Sequence, residues 1–343
     1  MSLPPPVPRY HPPVQHGSRK AIIAALVANL GIAIAKFVGF TITGAASMLA
    51  ESVHSVADSG NQALLILGGS RAAKAATPDH PFGYGRERYF WAFVVALVLF
   101  SFGGVFAAYE GYQKLSEPHE LESPLVAVGI LVFAIIVESL SLRTAVREAN
   151  LSRRGESWWS FVRHSKSPEL PVVLLEDLGA EIGLFLALIG VGLAELTGDP
   201  RWDAMGSLAI GVLLIAIAVL LAVEMKSLLL GERATPADEG AIRTAVEASP
   251  EVRRLIHLRT QHIGPEELLV GAKVELQPQL SFNEVVQAVN ATEGRIRAAV
   301  PSARMIYIEP DVFRESTTTE IASPAEAQHE PTSTSAPENT GSP

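Results

Sequence analysis

A histidine and several carboxylates lie inside stretches of sequence that are otherwise strongly apolar. His54 and Asp58 occur in MLAESVHSVADSGNQALLILGG four residues apart, so on a helix they share one face. A second apolar stretch, ELPVVLLEDLGAEIGLFLALIGVGL, contains Glu176, Asp177 and Glu181. A charge at mid-membrane costs roughly 3 kcal/mol even on lenient scales, so such residues usually mark a functional pathway.

These residue types suit a divalent cation. If the two stretches are packed helices, one imidazole and three carboxylates, from His54, Asp58, Asp177 and Glu181, can surround one ion. Imidazole and carboxylate ligands fit zinc at about 2.0–2.2 Å, and without thiolates other first-row ions remain open. Glu176 is rotated from Asp177 by about 100° on a helix, so the two cannot point equally well at one ion. The sequence does not decide between these two, so all five residues remain candidate metal ligands.

Other polar residues in the apolar stretches have simpler expected roles. We expect Glu51 near a membrane interface and Asn29 in an interhelical hydrogen bond. Lys36 is expected to snorkel or to pair with a carboxylate, and Glu138 to serve as a structural partner or a proton-handling group. His54 is the main candidate for proton exchange, because the ordinary pKa of histidine is about 6.5.

Six long apolar windows would position these side chains. They lie near 21–42, 47–70, 90–113, 122–145, 170–194 and 204–225. Each approaches the roughly 20 residues that a helix needs to cross about 30 Å of hydrocarbon. The chain has no cysteine, which excludes disulfides and thiolate metal sites, and its net charge of -9 argues against a nucleic-acid partner.

Basic residues concentrate in alternate loops between these windows. They are Arg19, Lys20, Arg71, Lys74, Arg86, Arg88, Arg143, Arg147, Arg153, Arg154, Arg163, Lys166, Lys226 and Arg233. By the positive-inside rule, both ends of the chain are predicted to be cytoplasmic. The Pro-rich start lacks the pattern of a signal peptide.

The pattern changes after about residue 234. ADEGAIRTAVEAS reads as a helix, VRRLIHLRTQHI and ELLVGAKVELQ as strands, SFNEVVQAVNATEGRIRAAV as a helix with a Ser281–Glu284 capping box, and ARMIYIEPD as a strand. This α-β-β-α-β order predicts a small α+β domain. The predicted organisation is a disordered arm over 1–18, a six-helix transmembrane domain over 19–230, the α+β domain over 234–313 and a disordered tail over 316–343.

Several motifs together resemble the cation diffusion facilitator family of transporters, over about residues 19 to 312. They are the H-x-x-x-D of His54 and Asp58, PFGYGRERYFW at the start of the third window, and LLLGERA after the sixth. The segment SKSPELPVVLLEDLGAEIG looks like the branch that includes mitochondrial-type zinc transporters and their bacterial relatives.

The resemblance implies six transmembrane helices, a cytoplasmic α+β domain of metallochaperone-like fold and a homodimer in a membrane, with the bacterial inner membrane as the expected location. It implies a secondary active transporter rather than an enzyme, without a cofactor. The transported ion would be zinc or a similar divalent cation, exported against inward proton movement.

The fifth window departs from the H-x-x-x-D or D-x-x-x-D common in the family. Asp177 with Glu181 keeps that spacing, whereas starting from Glu176 places Ala180, which cannot bind a metal, at the second position. This departure keeps open a second hypothesis, a membrane-anchored metal-binding or regulatory protein without transport.

Four residues of the α+β domain are candidates for binding a further metal ion. The candidates are His257, His262, Glu309 and Asp311. His257 and His262 are five apart on one strand and so lie on opposite faces, and His262 shares a face with Ile256, Leu258 and Thr260. Dimerisation is the expected role of this domain, and the loop residues His80 and His164 are expected to be solvated.

Overall fold

The computed structural model describes residues 16–118, 123–153 and 155–314, with side chains from Leu30 onward. Residues 1–15 of the predicted arm, the predicted tail over 316–343 and Arg154 lie outside the described residues. The side chain of Asn29 is also outside them.

Long helices make up the first two thirds of the described chain. They are α1 (His16–Thr43), α2 (Ala46–Ala72), α3 (Glu87–Val98), a π-helical segment (Leu99–Val105), α4 (Phe106–Ser116), α5 (Pro124–Ser152), the short α6 (Trp158–His164), α7 (Glu169–Thr197) and α8 (Arg201–Leu230). Each predicted apolar window coincides with one helix, the third with the continuous run through α3, the π-helical segment and α4.

Three of these helical runs are long and apolar enough to cross a membrane, namely Glu87–Ser116, Pro124–Ser152 and Arg201–Leu230. Large apolar side chains also cover the outside of the bundle, with Leu125 80% exposed and Val212 66% exposed. Exposed apolar surface on this scale marks a contact surface, and lipid is the contact that long apolar helices require. The chain is a membrane protein.

Packing inside the bundle relies on small residues. Between α4 and α8 the backbones approach so closely that a Cβ atom on Gly211 would lie 2.6 Å from the backbone nitrogen of Ala108. Small residues of this kind allow membrane helices to approach each other, because lipid provides no hydrophobic driving force for their association. The core between the helices includes Tyr89, Leu131 and Leu184, all fully buried.

The C-terminal unit has the predicted α-β-β-α-β order. It consists of α9 (Pro236–Glu247), β1 (Val252–Gly264), β2 (Glu267–Leu276), α10 (Phe282–Ala299) and β3 (Ala303–Pro310). The sheet order is β1-β2-β3, with β1 and β2 antiparallel and β2 and β3 parallel. The Ser281–Glu284 capping box is present at the start of α10. The predicted fold class, a helical membrane domain with a small α+β domain, is confirmed.

Strand β1 is irregular where it passes its candidate histidines. Its pairing with β2 shifts register between Leu255 and His257, so Leu255 packs in the domain core while Ile256 does not join it. His257 is exposed and His262 is buried, as expected for opposite faces. The register shift lies next to Ile256 and interrupts the period-two alternation on which the prediction of a face shared with His262 depends.

Candidate metal centre

The inward face of α2 carries a line of polar side chains through the bundle. Glu51, His54, Asp58 and Asn61 are all less than a tenth exposed. They follow one another at intervals of three or four residues, which places them on one face of the helix. The packing of α2 against α1, α3 and α7 turns that face away from lipid.

His54 and Asp58 form the centre of this line. His54 Nδ1 lies 3.4 Å from Asp58 Oδ1. Within the described part of the chain, neither ring nitrogen of His54 makes a hydrogen bond, and neither does Asp58 Oδ1. The π-helical segment packs beside the imidazole at Gly103, where a Cβ atom would be in ordinary van der Waals contact with His54 Nδ1 at 3.5 Å. Buried polar atoms without partners are costly, so this site is suited to a polar ligand.

Glu176 is the α7 carboxylate that faces this pair. Asn61 Nδ2 donates a hydrogen bond to Glu176 Oε1 at 3.4 Å, and the Asp58 carboxyl is a neighbour of Glu176. The second oxygen, Glu176 Oε2, has no hydrogen-bond partner among the described residues. One turn further along α7, Ala180 is buried and offers no ligand atom.

Asp177 and Glu181 face α5 instead of α2. Ser141 Oγ donates to Asp177 Oδ2 at 3.0 Å, and Ser139 Oγ donates to Glu181 Oε1 at 2.8 Å. Glu138, next to Ser139, is also buried. The structure therefore brings Glu176 to Asn61 and Asp58 on the polar face of α2, and it places the other two predicted α7 ligands on a different face.

The three neighbouring groups do not form a closed cage. No group of three imidazole, thiolate or carboxylate side chains arranged to hold a metal ion occurs in the part of the chain that the structure describes. His54 is next to Asp58, and Asp58 is next to Glu176, but the three side chains do not converge on one point. Their donor atoms are nevertheless one imidazole and two carboxylates, the set that suits zinc and other first-row divalent ions.

Glu51 is enclosed by protein. It is fully buried, and Lys36 Nζ on α1 lies 3.2 Å from its Oε2. Lys36 also donates to Ser55 Oγ at 2.8 Å, so of its two predicted roles it takes the pairing one. Glu51 precedes His54 by three residues, which was the sequence signal that both point inward.

A second buried charge cluster lies at the start of α2, and no local sequence pattern predicts it. Asp203 on α8 accepts hydrogen bonds from the backbone nitrogens of Ala46 and Ser47, at 2.8 and 3.3 Å, and from Ser47 Oγ. Lys114 Nζ lies 3.5 Å from Asp203 Oδ2 and also binds the carbonyl of Gly44. This cluster joins the ends of α2, α4 and α8.

The candidate residues of the α+β domain serve other contacts. Lys273 Nζ lies 3.1 Å from Glu309 Oε1 and 3.0 Å from Asp311 Oδ2, so these two carboxylates hold a lysine. Burial, followed by the nearby charge of Lys166, lowers the pKa of His262, which favours its neutral form. These contacts indicate a structural role for Glu309, Asp311 and His262.

The two histidines that were predicted to lie in loops also have local contacts. The ring of His80 stacks on Tyr84 with centroids 4.5 Å apart, and His164 Nδ1 lies 3.1 Å from the carbonyl oxygen of Ser160. Both histidines are exposed, although His164 is the last residue of the short helix α6 and not a loop residue.

Comparison with known proteins identifies the family. Residues 22–230 match the family model described as the cation efflux transmembrane domain. The match covers all of the long helices, including the two that carry His54, Asp58 and Glu176. The chain therefore belongs to the cation efflux family, the cation diffusion facilitators that its motifs resemble.

Similar curated proteins come from animals, plants and bacteria. The chain is 34% identical over 261 residues to the proton-coupled zinc antiporter SLC30A9, mitochondrial, of Xenopus laevis, covering 76% of this chain and 47% of that protein. It is 28% identical to metal tolerance protein C4 of Arabidopsis thaliana, covering 81% and 61%. It is 29% identical to the cation-efflux pump FieF of Cronobacter sakazakii, covering 84% and 91%. The chain spans about half the length of the mitochondrial antiporters that it matches.

Proposed function

We propose that this chain moves a divalent metal ion, zinc in the first instance, out of the cytoplasm in exchange for protons. The observation that supports this most is the buried neighbourhood of His54, Asp58 and Glu176 inside a membrane bundle, with ligand atoms on each that lack protein hydrogen bonds among the described residues. The name of the similar mitochondrial protein, a proton-coupled zinc antiporter, supports the same cargo and coupling.

The ligand chemistry gives this exchange a physical basis. Imidazole and carboxylate groups must lose protons before they hold a metal, so metal and protons compete for the same atoms. If α2 and α7 rock so that the site between them opens to each side in turn, each cycle exchanges one for the other. His54 is the proposed main proton carrier, since only histidine has an ordinary pKa close to neutral pH.

Among the α7 carboxylates, we propose Glu176 as the metal ligand. It alone of the three contacts the α2 polar face, through Asn61 and Asp58. Asp177 and Glu181 each accept a hydrogen bond from a serine hydroxyl of α5, although Glu181 Oε2 has no partner among the described residues, and both would need a rotation of α7 to reach His54. They are the alternative ligands if the helix turns during transport.

The proposed setting is a bacterial inner membrane, with both chain ends in the cytoplasm. The proposed transmembrane domain spans 19–230, and the unit over 234–313 is proposed to hold two copies of the chain together. Basic residues in alternate loops support this orientation.

Zinc uptake into proteoliposomes tests the proposal, with the adjacent carboxylates Glu176 and Asp177 as a matched pair. We expect Asp58→Asn and Glu176→Gln to reduce zinc uptake at least about tenfold, because each removes a charged ligand. Asp177→Asn should keep uptake within about twofold of wild type. Equal losses in the Glu176 and Asp177 variants would contradict the assignment of Glu176.

Binding and transport measured together separate the two candidate functions. A transporter shows zinc-dependent proton flux that is lost in His54→Ala, whereas a metal-binding regulatory protein binds zinc without moving it. Wild-type protein that binds zinc but shows no uptake under a proton gradient would favour the second candidate. Size-exclusion profiles of each variant control for folding.

A further inference from the structure

Lys36 and Glu51 form an ion pair that is fully enclosed by the bundle. Their side chains are 1% and 0% exposed, and Lys36 Nζ lies 3.2 Å from Glu51 Oε2. Removing two charges from water is costly, and replacing such a pair with apolar residues is often neutral or stabilising. Its presence one turn from the candidate metal centre is therefore better explained by function than by stability.

The pair leaves one ligand atom of Glu51 unused. Glu51 Oε1 has no hydrogen-bond partner in the described residues. It points towards α7 at Gly183, where a Cβ atom would lie only 2.6 Å from this oxygen. The absence of a side chain on Gly183 lets this oxygen lie against α7, where it remains an unused acceptor for a cation.

His54 stands between two carboxylates on the same face of α2. Asp58 follows it by one turn, with Nδ1 and Oδ1 3.4 Å apart, and Glu51 precedes it by three residues. On a helix this spacing brings the Cβ atoms to about 5–6 Å, within reach of a shared ligand. An ion held by His54 and Asp58 therefore has Glu51 as the next carboxylate towards the start of α2, the proposed extracytoplasmic side.

We propose that Glu51 and His54 form a second cation station on the release side, and that Lys36 is a built-in competitor for that station. This inference rests on the proposed transport function. Lys36 neutralises Glu51 while the station is empty. When a divalent ion moves from Asp58 to Glu51, the Lys36 ammonium group has to move away from the Glu51 carboxylate. Its positive charge remains close by, so it lowers the affinity of the second station for the ion and favours release.

Two variants test this mechanism without leaving a buried charge unpaired. Lys36→Gln with Glu51→Gln removes both charges together, and Asp58→Asn serves as the reference for the main site. For the double variant we expect an unchanged zinc Kd, within about threefold, and a fall in transport kcat of at least about tenfold, because the second station is lost. A merely structural pair predicts a kcat within about twofold of wild type in the folded double variant.

The single variant Lys36→Met is expected to tighten zinc binding. It leaves Glu51 without its competitor, so the release-side station becomes stronger and zinc binding measured by calorimetry tightens about tenfold while turnover falls. Unchanged or weaker zinc binding in folded Lys36→Met protein would overturn the competitor role. If this variant does not fold, the turnover of the double variant decides the question.

The reference variant separates the two levels of the argument. If Asp58→Asn loses zinc binding and transport while the double variant equals wild type in both Kd and kcat, only the second station is refuted. If Asp58→Asn itself binds and transports zinc as wild type does, the proposed function is refuted, and the release-side station with it.

Discussion

Replacing Asp203 by alanine removes the buried charge that joins three helices. Asp203 is fully buried and accepts hydrogen bonds from the backbone nitrogens of Ala46 and Ser47, at 2.8 and 3.3 Å, so it caps the start of α2 from a neighbouring helix. It also pairs with Lys114 at 3.5 Å. Glu195, an exposed carboxylate at the end of α7, offers the matched control.

The expected cost of this change follows from the separate contacts. Loss of a helix cap costs about 1 kcal/mol. Removal of one partner from a buried ion pair costs about 3–5 kcal/mol, and Lys114, only 8% exposed, keeps just part of its stabilisation through the carbonyl of Gly44. The two contributions overlap, so we expect a total of about 3–5 kcal/mol for Asp203→Ala. Asp203→Asn retains an acceptor oxygen and should cost less.

Thermal unfolding of the detergent-solubilised full chain measures this effect. A loss of this size corresponds to a Tm decrease on the order of 10 °C for a bundle of this length. Glu195→Ala should change the Tm by less than about 2 °C, as expected for an exposed side chain. If the Asp203→Ala and Glu195→Ala variants had the same Tm, Asp203 would not stabilise the bundle. The helix cap and the ion pair would then contribute little to the free energy of unfolding.

Two further predictions concern packing and pH. Gly211→Val should lower the Tm by several degrees, because a Cβ atom there would lie 2.6 Å from the backbone nitrogen of Ala108. The control Gly192→Ala has open space around it and should leave the Tm unchanged. Similar Tm values for the two variants would exclude a close α4–α8 contact. Because burial lowers the pKa of His262, its contribution to stability is complete above the unfolded value of about 6.5 and is lost as the pH falls towards the folded value. The wild-type protein should therefore have a lower Tm at pH 5.5 than at pH 7.5. This difference should be smaller in His262→Asn and unchanged in the control His257→Asn.

The fold was predictable wherever a local pattern decides structure. Long apolar windows predicted the positions of the helices, and alternation predicted three strands within a residue or two of their observed ends. The Ser281–Glu284 capping box marked the start of α10 because its contacts are local. The π-helical segment Leu99–Val105 lies inside one continuous apolar window, and the short helix α6 lies between two windows, so neither element was predicted.

The candidate site was only half predictable, for a related reason. His54 and Asp58 share one helix, so their spacing alone places them on one face. The contacts of Lys36 with Glu51 and of Asn61 with Glu176 join different helices, and no spacing rule relates residues on different helices. Which α7 carboxylate faces α2 depends on the rotation of α7, a tertiary property of the bundle.

Small residues on α7 determine that rotation. A Cβ atom on Gly179 would lie 2.8 Å from Ile217 of α8, and one on Gly190 would lie 3.0 Å from the carbonyl oxygen of Trp202. Both glycines therefore have to face α8 for the helices to approach as closely as they do. Turning α7 by the about 100° that separates neighbouring residues would bring Asp177 towards α2, but it would also move these glycines out of the contact and bring larger side chains into it. The packing that holds α7 against α8 thus also selects Glu176 as the carboxylate that reaches the polar face of α2.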